Sequence, residues 1–416
     1  MLVPSISFKT LSLVLLASSV LGQADASMPN LRKPVPAQEG TGNKEKSAPE
    51  LSLQGLELSK IGPWGQLEYF EALLEAPMEL VKASQPTSIR TRWFFGKMAP
   101  DAVASFLLTL KLPQDLESQL TDRERWMQSA EGTTIYPKTD TILALPPQIR
   151  NTLYRTLAKW PENEYHSEPE IIYGESVKKW LAGIEVSPEV LDFIEKTSYA
   201  TPSARLFADT PAVLALASSE KERINILRAF SRTPTLVAKV RIKEGNPQEL
   251  QDYWNKGTRF KDTSTFLNSM LRYEALDKID LVHLLPAEIR KILYTFPRPS
   301  QTRSGYLPDC HWSSLNFFNT SSIERLSDPP QATAYTLENF DRVSPPYELG
   351  DVLFFTDVDT GDAYHSCAYI ADDIVFTKNG RSPLQPWILM KINKVKDLYD
   401  LHFRTNTTAY RRKLQS

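Results

Sequence analysis

The sequence predicts an α+β fold: a duplicated, mainly α-helical region followed by a C-terminal domain in which a short buried helix meets a sheet. Three observations carry this expectation. The pattern Leu-Pro-x-x-Ile-Arg-x-x-Leu-Tyr occurs at Leu145–Tyr154 and again at Leu285–Tyr294, and its apolar residues recur at the three- and four-residue spacing of one helix face. Between Leu349 and Gly380 the pattern changes to short continuous apolar runs such as Val352 to Phe355, bounded by polar turns, as expected for strands. Finally, hydrophobic residues make up 41% of the chain and only two cysteines occur, so a packed core rather than a disulfide framework holds the fold.

From the start of the chain, Lys9, the apolar run Leu11 to Leu21 and the small-residue pattern Ala24-Asp25-Ala26 read as a secretory signal peptide over residues 1–26. The mature protein is therefore expected to be secreted or periplasmic, with no integral membrane segment after cleavage. Residues 27–50 mix Pro, Gly, Lys and Glu with almost nothing to bury and read as a flexible linker. The formal net charge of −2 gives no electrostatic case for a nucleic-acid partner.

Residues 51–230 read as a mainly helical module with the first repeat copy, and residues 231–298 as the second. Each copy opens with an expected strand, Ile89 to Phe95 and Leu236 to Ile242. A helix follows, its apolar residues recurring at helical spacing: Val103, Phe106, Leu107 and Leu110 in the first and Leu250, Tyr253 and Trp254 in the second. Asn246-Pro247 with Glu249 marks a helix start, as do Ser187-Pro188-Glu189 and Thr210-Pro211. The repeated Leu-Pro-x-x-Ile-Arg motif reads as a packed face whose arginine pairs locally or caps a helix end, with peptide or glycan binding as the rival reading. His166 and His283 stand apart from any metal or nucleophile spacing and read as surface or helix-packing residues.

Phe296-Pro297-Arg298-Pro299 marks entry into a last domain, 299–416. Here Asp309 is placed as the N-cap of a helix running from Cys310 to Phe318. Cys310 would sit in the first turn, where unpaired N–H groups favour a thiolate and could hold an oxyanion. Val352 to Phe355 read as an interior strand. In the strand that follows, His365, Cys367 and Tyr369 share one face and Ser366, Ala368 and Ile370 the other. A three-residue turn at Ala371-Asp372-Asp373 would pair Ile370 with Ile374, Cys367 with Thr377 and His365 with Asn379. Thr377 or Asn379 would then accept a hydrogen bond from Nδ1–H of His365 and leave Nε2 facing the thiol.

The Asp-Cys helix start, the Leu-x-x-Gly-Asp-Val-Leu-Phe-Phe strand and the His-x-x-x-Tyr-Ile hairpin together resemble the NlpC-type branch of papain-like cysteine peptidases, which cut peptide stems of bacterial cell walls. The resemblance covers roughly the last 110 residues, about one domain. It implies a hydrolase in which Cys310 is the nucleophile, His365 the general base and Thr377 the third polar residue, with Asn379 its geometric rival. A peptide or cell-wall peptide is the implied substrate, and no cofactor or metal is implied. The chain departs from the family in having His311-Trp312 where Ser-Gly is usual, only Tyr306 as a counterpart of an upstream tyrosine, and no histidine at the third position. Competing readings are a Cys310–Cys367 disulfide, a zinc site of Cys310, His311, His365 and Cys367, and a non-catalytic binding module of the same fold.

Overall fold

One order of elements is used three times between residues 93 and 292, the third time with a single strand where the first two have a pair. In the computed structural model the described residues are 55–413, apart from 175, 257–259, 299–306, 360 and 400–404. The expected signal peptide and linker, and Tyr306, lie outside them. After β1 (Glu57–Leu58), β2 (Gln66–Leu74) and α1 (Met78–Ala83), the first run comprises β3 (Trp93–Gly96), α2 (Pro100–Thr109), α3 (Gln114–Thr121), β4 (Trp126–Ser129), β5 (Gly132–Ile135), α4 (Thr139–Ala144) and α5 (Pro147–Leu157). Then comes a short helix, α6 (Glu164–Ser167). The second run is β6 (Glu170–Tyr173), α7 (Val177–Trp180), α8 (Pro188–Thr197), β7 (Tyr199–Ala200), β8 (Ala204–Phe207), α9 (Thr210–Leu216) and α10 (Glu220–Phe230). The third is β9 (Thr233–Arg241), α11 (Pro247–Trp254), α12 (Phe260–Arg272), β10 (Lys278–Asp280), a 3-10 turn at Leu281–Leu284 and α13 (Ala287–Ile292).

The first two runs build the same small antiparallel sheet, ordered β3-β5-β4 and β6-β8-β7. Residues 170–230, expected to belong to the first copy, thus carry a run of their own. The strands also shift. The first expected strand contracts to Trp93–Gly96, and the second begins earlier, at Thr233, because β9 pairs along its whole length with β2. Helix starts follow local chemistry: Asn246 Oδ1 accepts from Gln248 N at 2.8 Å, and Ser187 caps α8 ahead of Pro188. The two motif arginines part company. Arg150 is buried and donates to Tyr199 Oη at 2.9 Å and to the Lys196 carbonyl, at the end of α8, at 2.6 Å, whereas Arg290 is exposed. His166 is buried edge-on against Tyr154, with ring centroids 4.6 Å apart, so it is a packing residue and not a surface one.

The C-terminal part begins with α14 (Cys310–Leu315) and α15 (Pro329–Asn339). It continues through β11 (Phe340–Val343), β12 (Val352–Asp357), β13 (Ala363–Ala371), β14 (Ile374–Lys378), β15 (Trp387–Lys391), α16 (Ile392–Tyr399) and β16 (Thr405–Arg412). These strands form one six-stranded antiparallel sheet ordered β11-β16-β12-β13-β14-β15. The Cys310 helix is shorter than expected, ending at Leu315 rather than Phe318.

Both faces of this sheet are covered, which explains why Cys367, Ala368, Tyr369 and Ile370 of β13 follow one another without polar residues between them. On one face Ala368, Ile370 and Phe376 pack with Trp312 and Leu315 of α14 and with Leu236, Val240 and Trp254 of the third run. On the other, Cys367, Tyr369 and Val375 pack with Val395 and Leu398 of α16 and with Ile171 and Leu206 of the second run. Among the described residues, no helix is long and apolar enough to cross a membrane.

Candidate thiol–imidazole site

Asp309 starts the site by starting its helix. Its Oδ1 accepts from Trp312 N at 2.8 Å, an N-cap bond that places Cys310 in the first turn of α14. The helix is held on the sheet by polar contacts as well as apolar ones. Ser366 Oγ lies 2.9 Å from His311 Nδ1 and 2.8 Å from Ser314 Oγ, and Trp387 Nε1 donates to Ser313 Oγ at 2.9 Å. The Cys310 sulfur faces backbone donors of Ser366 and His311, which favour the thiolate. Burial and the neighbouring Asp309 carboxylate oppose them, and burial wins: the thiol is pushed well up from its ordinary value.

His365 is fully buried on β13, on the face that carries Cys367 and Tyr369, so it looks toward α16 while its neighbour Ser366 looks toward α14. Its ring lies between Phe355, at a centroid distance of 6.0 Å, and Tyr399, at 4.9 Å. Both ring nitrogens are engaged. Nε2 lies 2.9 Å from Thr377 Oγ1, and Nδ1 lies 3.0 Å from the hydroxyl of Tyr399, the last residue of α16. Burial, with a smaller contribution from His311, lowers its pKa to about 3. Among the described residues no hydrogen bond joins the thiol to the imidazole, and at neutral pH burial favours the uncharged form of each.

The hairpin that carries these groups keeps its expected register by a different turn. Ala371 pairs with Ile374 across a two-residue turn in which Asp372 adopts φ 54°, and an irregularity at Ile370 restores the pairs Tyr369 with Val375 and Ala368 with Phe376. Thr377 is therefore beside His365 as expected, but it meets Nε2 and not Nδ1. Asn379 does not meet the ring. Its Nδ2 donates to Tyr173 Oη of β6 at 3.0 Å, and its buried Oδ1 has no partner among the described residues.

Three further residues escaped the sequence reading. Tyr399 holds Nδ1. Lys378 is fully buried with its ammonium donating to the carbonyls of Gly380 at 2.8 Å and Ser382 at 2.9 Å, and burial lowers its pKa to about 8. Glu168 accepts from Arg381 N at 2.7 Å, just ahead of the second run, so the helical region lies against the loop that follows β14. The only signal for Tyr399 was its place one turn after Val395 on an amphipathic helix.

Cys310 and Cys367 are both buried free thiols and not the disulfide weighed above. Among the described residues no group of three or more His, Cys, Asp or Glu is placed to hold a metal ion. The zinc quartet weighed above does not converge, because its imidazoles are committed elsewhere: His311 Nδ1 lies against Ser366 Oγ, and the two nitrogens of His365 lie against Thr377 Oγ1 and the Tyr399 hydroxyl. Comparison with protein-family models, with curated proteins and with solved structures finds no match to this chain.

Proposed function

We propose that the C-terminal domain is a papain-like thiol hydrolase of the NlpC type, exported from the cell and acting on amide bonds in peptides of unusual linkage such as cell-wall stems. The observation that carries this reading is the seat of Cys310: first turn of a helix docked on the sheet, sulfur against backbone donors of Ser366 and His311, and a doubly anchored imidazole on the residue before Ser366. In that mechanism the segments covering the site move, and the thiol and the imidazole, which are not bonded to each other in this structure, come together. His365 then takes the Cys310 proton and the thiolate attacks the amide carbonyl. First-turn N–H groups of α14 hold the oxyanion, and His365 returns the proton to the leaving amine before water releases the acyl group. The helical region would place or restrict the peptide, since Tyr173 and Glu168 of that region contact the end of the hairpin.

A second reading, a non-catalytic peptide- or glycan-binding envelope protein of the same fold, is favoured by burial. Cys310 is 6% exposed and His365 0%, so the substrate reaches them only when the covering segments move. The discriminating experiment incubates the chain from residue 27 onward with a synthetic stem peptide containing a γ-linked D-glutamate and follows products by mass. Cleavage abolished in both Cys310→Ala and His365→Ala supports the hydrolase. Saturable binding without cleavage supports the binding module and sinks the hydrolase reading.

A further inference from the structure

The hydroxyl groups around His365 fix the direction of its hydrogen bonds. Thr377 Oγ1 donates to the Ser366 carbonyl at 3.4 Å as well as lying 2.9 Å from Nε2, and a carbonyl oxygen can only accept. With the Thr377 proton on that carbonyl, Thr377 accepts from Nε2–H, Nδ1 carries a lone pair, and the Tyr399 hydroxyl donates to it at 3.0 Å. Every donor in this series of bonds then has an acceptor. In the reverse arrangement Thr377 donates to Nε2, Nδ1–H donates to Tyr399, and the Tyr399 proton has no acceptor among the described residues. Buried donors without acceptors are rare because each gives up its bond to water and gains nothing in return, so the first arrangement wins.

We infer that Tyr399 is a positioning residue of the candidate site: with Thr377 it holds His365 as the Nε2–H tautomer and makes Nδ1 the nitrogen available to take a proton. This reverses the roles of the two nitrogens expected from the hairpin alone. Proton uptake at Nδ1 requires the Tyr399 hydroxyl to rotate and accept from the new Nδ1–H, which costs the hydroxyl proton its acceptor. Its bearing on catalysis rests on the hydrolase reading, but the tautomer itself does not.

The test is nitrogen NMR of histidine-labelled protein over the full exported chain, with the His365 signals assigned by their loss in His365→Phe. Wild type is expected to show a protonated Nε2 and a hydrogen-bonded, unprotonated Nδ1. Tyr399→Phe, which keeps the ring volume, should retain Nε2–H and shift Nδ1 toward a free lone pair. Thr377→Val, which removes the acceptor of Nε2–H, should end the preference for that tautomer and mix the two forms, and Thr377→Ser should restore the wild-type pattern, which a merely space-filling role would not do. An Nδ1–H ring in wild type, or an Nδ1 signal indifferent to Tyr399→Phe, overturns the inference. If the NMR pattern is as stated and wild type cleaves no peptide, the hydrolase reading fails and the assignment of Tyr399 is supported.

Discussion

Replacing His365 by Phe tests whether the imidazole is buried and neutral, the state in which Nδ1 keeps the lone pair that accepts from Tyr399. Burial lowers its pKa from an ordinary 6.5 to about 3. Between those values the unfolded chain binds a proton that the folded chain refuses, so stability falls as pH falls through this window. At 1.36 kcal/mol per pH unit, the full penalty is about 5 kcal/mol below pH 3, and about 2 kcal/mol is lost between pH 6.5 and 4.5. His166, also buried and lowered to about 3, acts in the same direction. Asp209, raised to about 6, and Glu170, raised to about 8, act oppositely, since their folded forms keep a proton that is lost as pH rises. All three are common to wild type and variant and cancel in the difference. The assay is urea unfolding of both proteins at several pH values from 6.5 to 4.5. The variant, having lost two hydrogen bonds, should start less stable and close the gap by about 2 kcal/mol on acidification. Parallel curves would refute a buried neutral imidazole, and a gap that widens on acidification would reveal an imidazolium stabilised by the fold.

Three other outcomes follow from the geometry. Gly350 sits at φ 82°, and a Cβ there would lie 2.0 Å from Phe318 Cε2; Gly350→Ala should cost at least about 2 kcal/mol in thermal unfolding, through backbone strain and overpacking together. Arg150→Met should cost about 3 kcal/mol, because it strands the Leu145 and Lys196 carbonyls and the Tyr199 hydroxyl in the interior; the exposed Arg290→Met should change stability by less than about 0.5 kcal/mol in the same denaturation assay. Asn246→Ala, which removes the cap of α11, should cost about 1 kcal/mol by the same measurement.

Much of the local structure was legible in the sequence because it depends on neighbours in the chain. Asp309, Ser187 and Asn246 cap the helices they precede, since a short side-chain acceptor reaches only the N–H groups of the next turn. The pairing of β13 with β14 was legible from alternation, and the altered turn changed nothing downstream because the irregularity at Ile370 absorbed the extra residue. The run from β6 to α10 was not legible as a unit of its own. It lacks the Leu-Pro-x-x-Ile-Arg motif that marks the flanking runs, and its kinship is one of sheet order, not of residues.

The face of the sheet on which each group sits was settled only by tertiary packing. Alternation placed His365 opposite Ser366, but both faces of β13 are buried and apolar, so nothing in the strand says which face receives α14 and which α16. That choice put the Cys310 helix against Ser366 and brought Tyr399, 34 positions further along the chain, to Nδ1 of His365. A strand's own sequence specifies two faces but does not identify the elements that cover them; the partners of an imidazole on such a strand are fixed by how the rest of the chain packs.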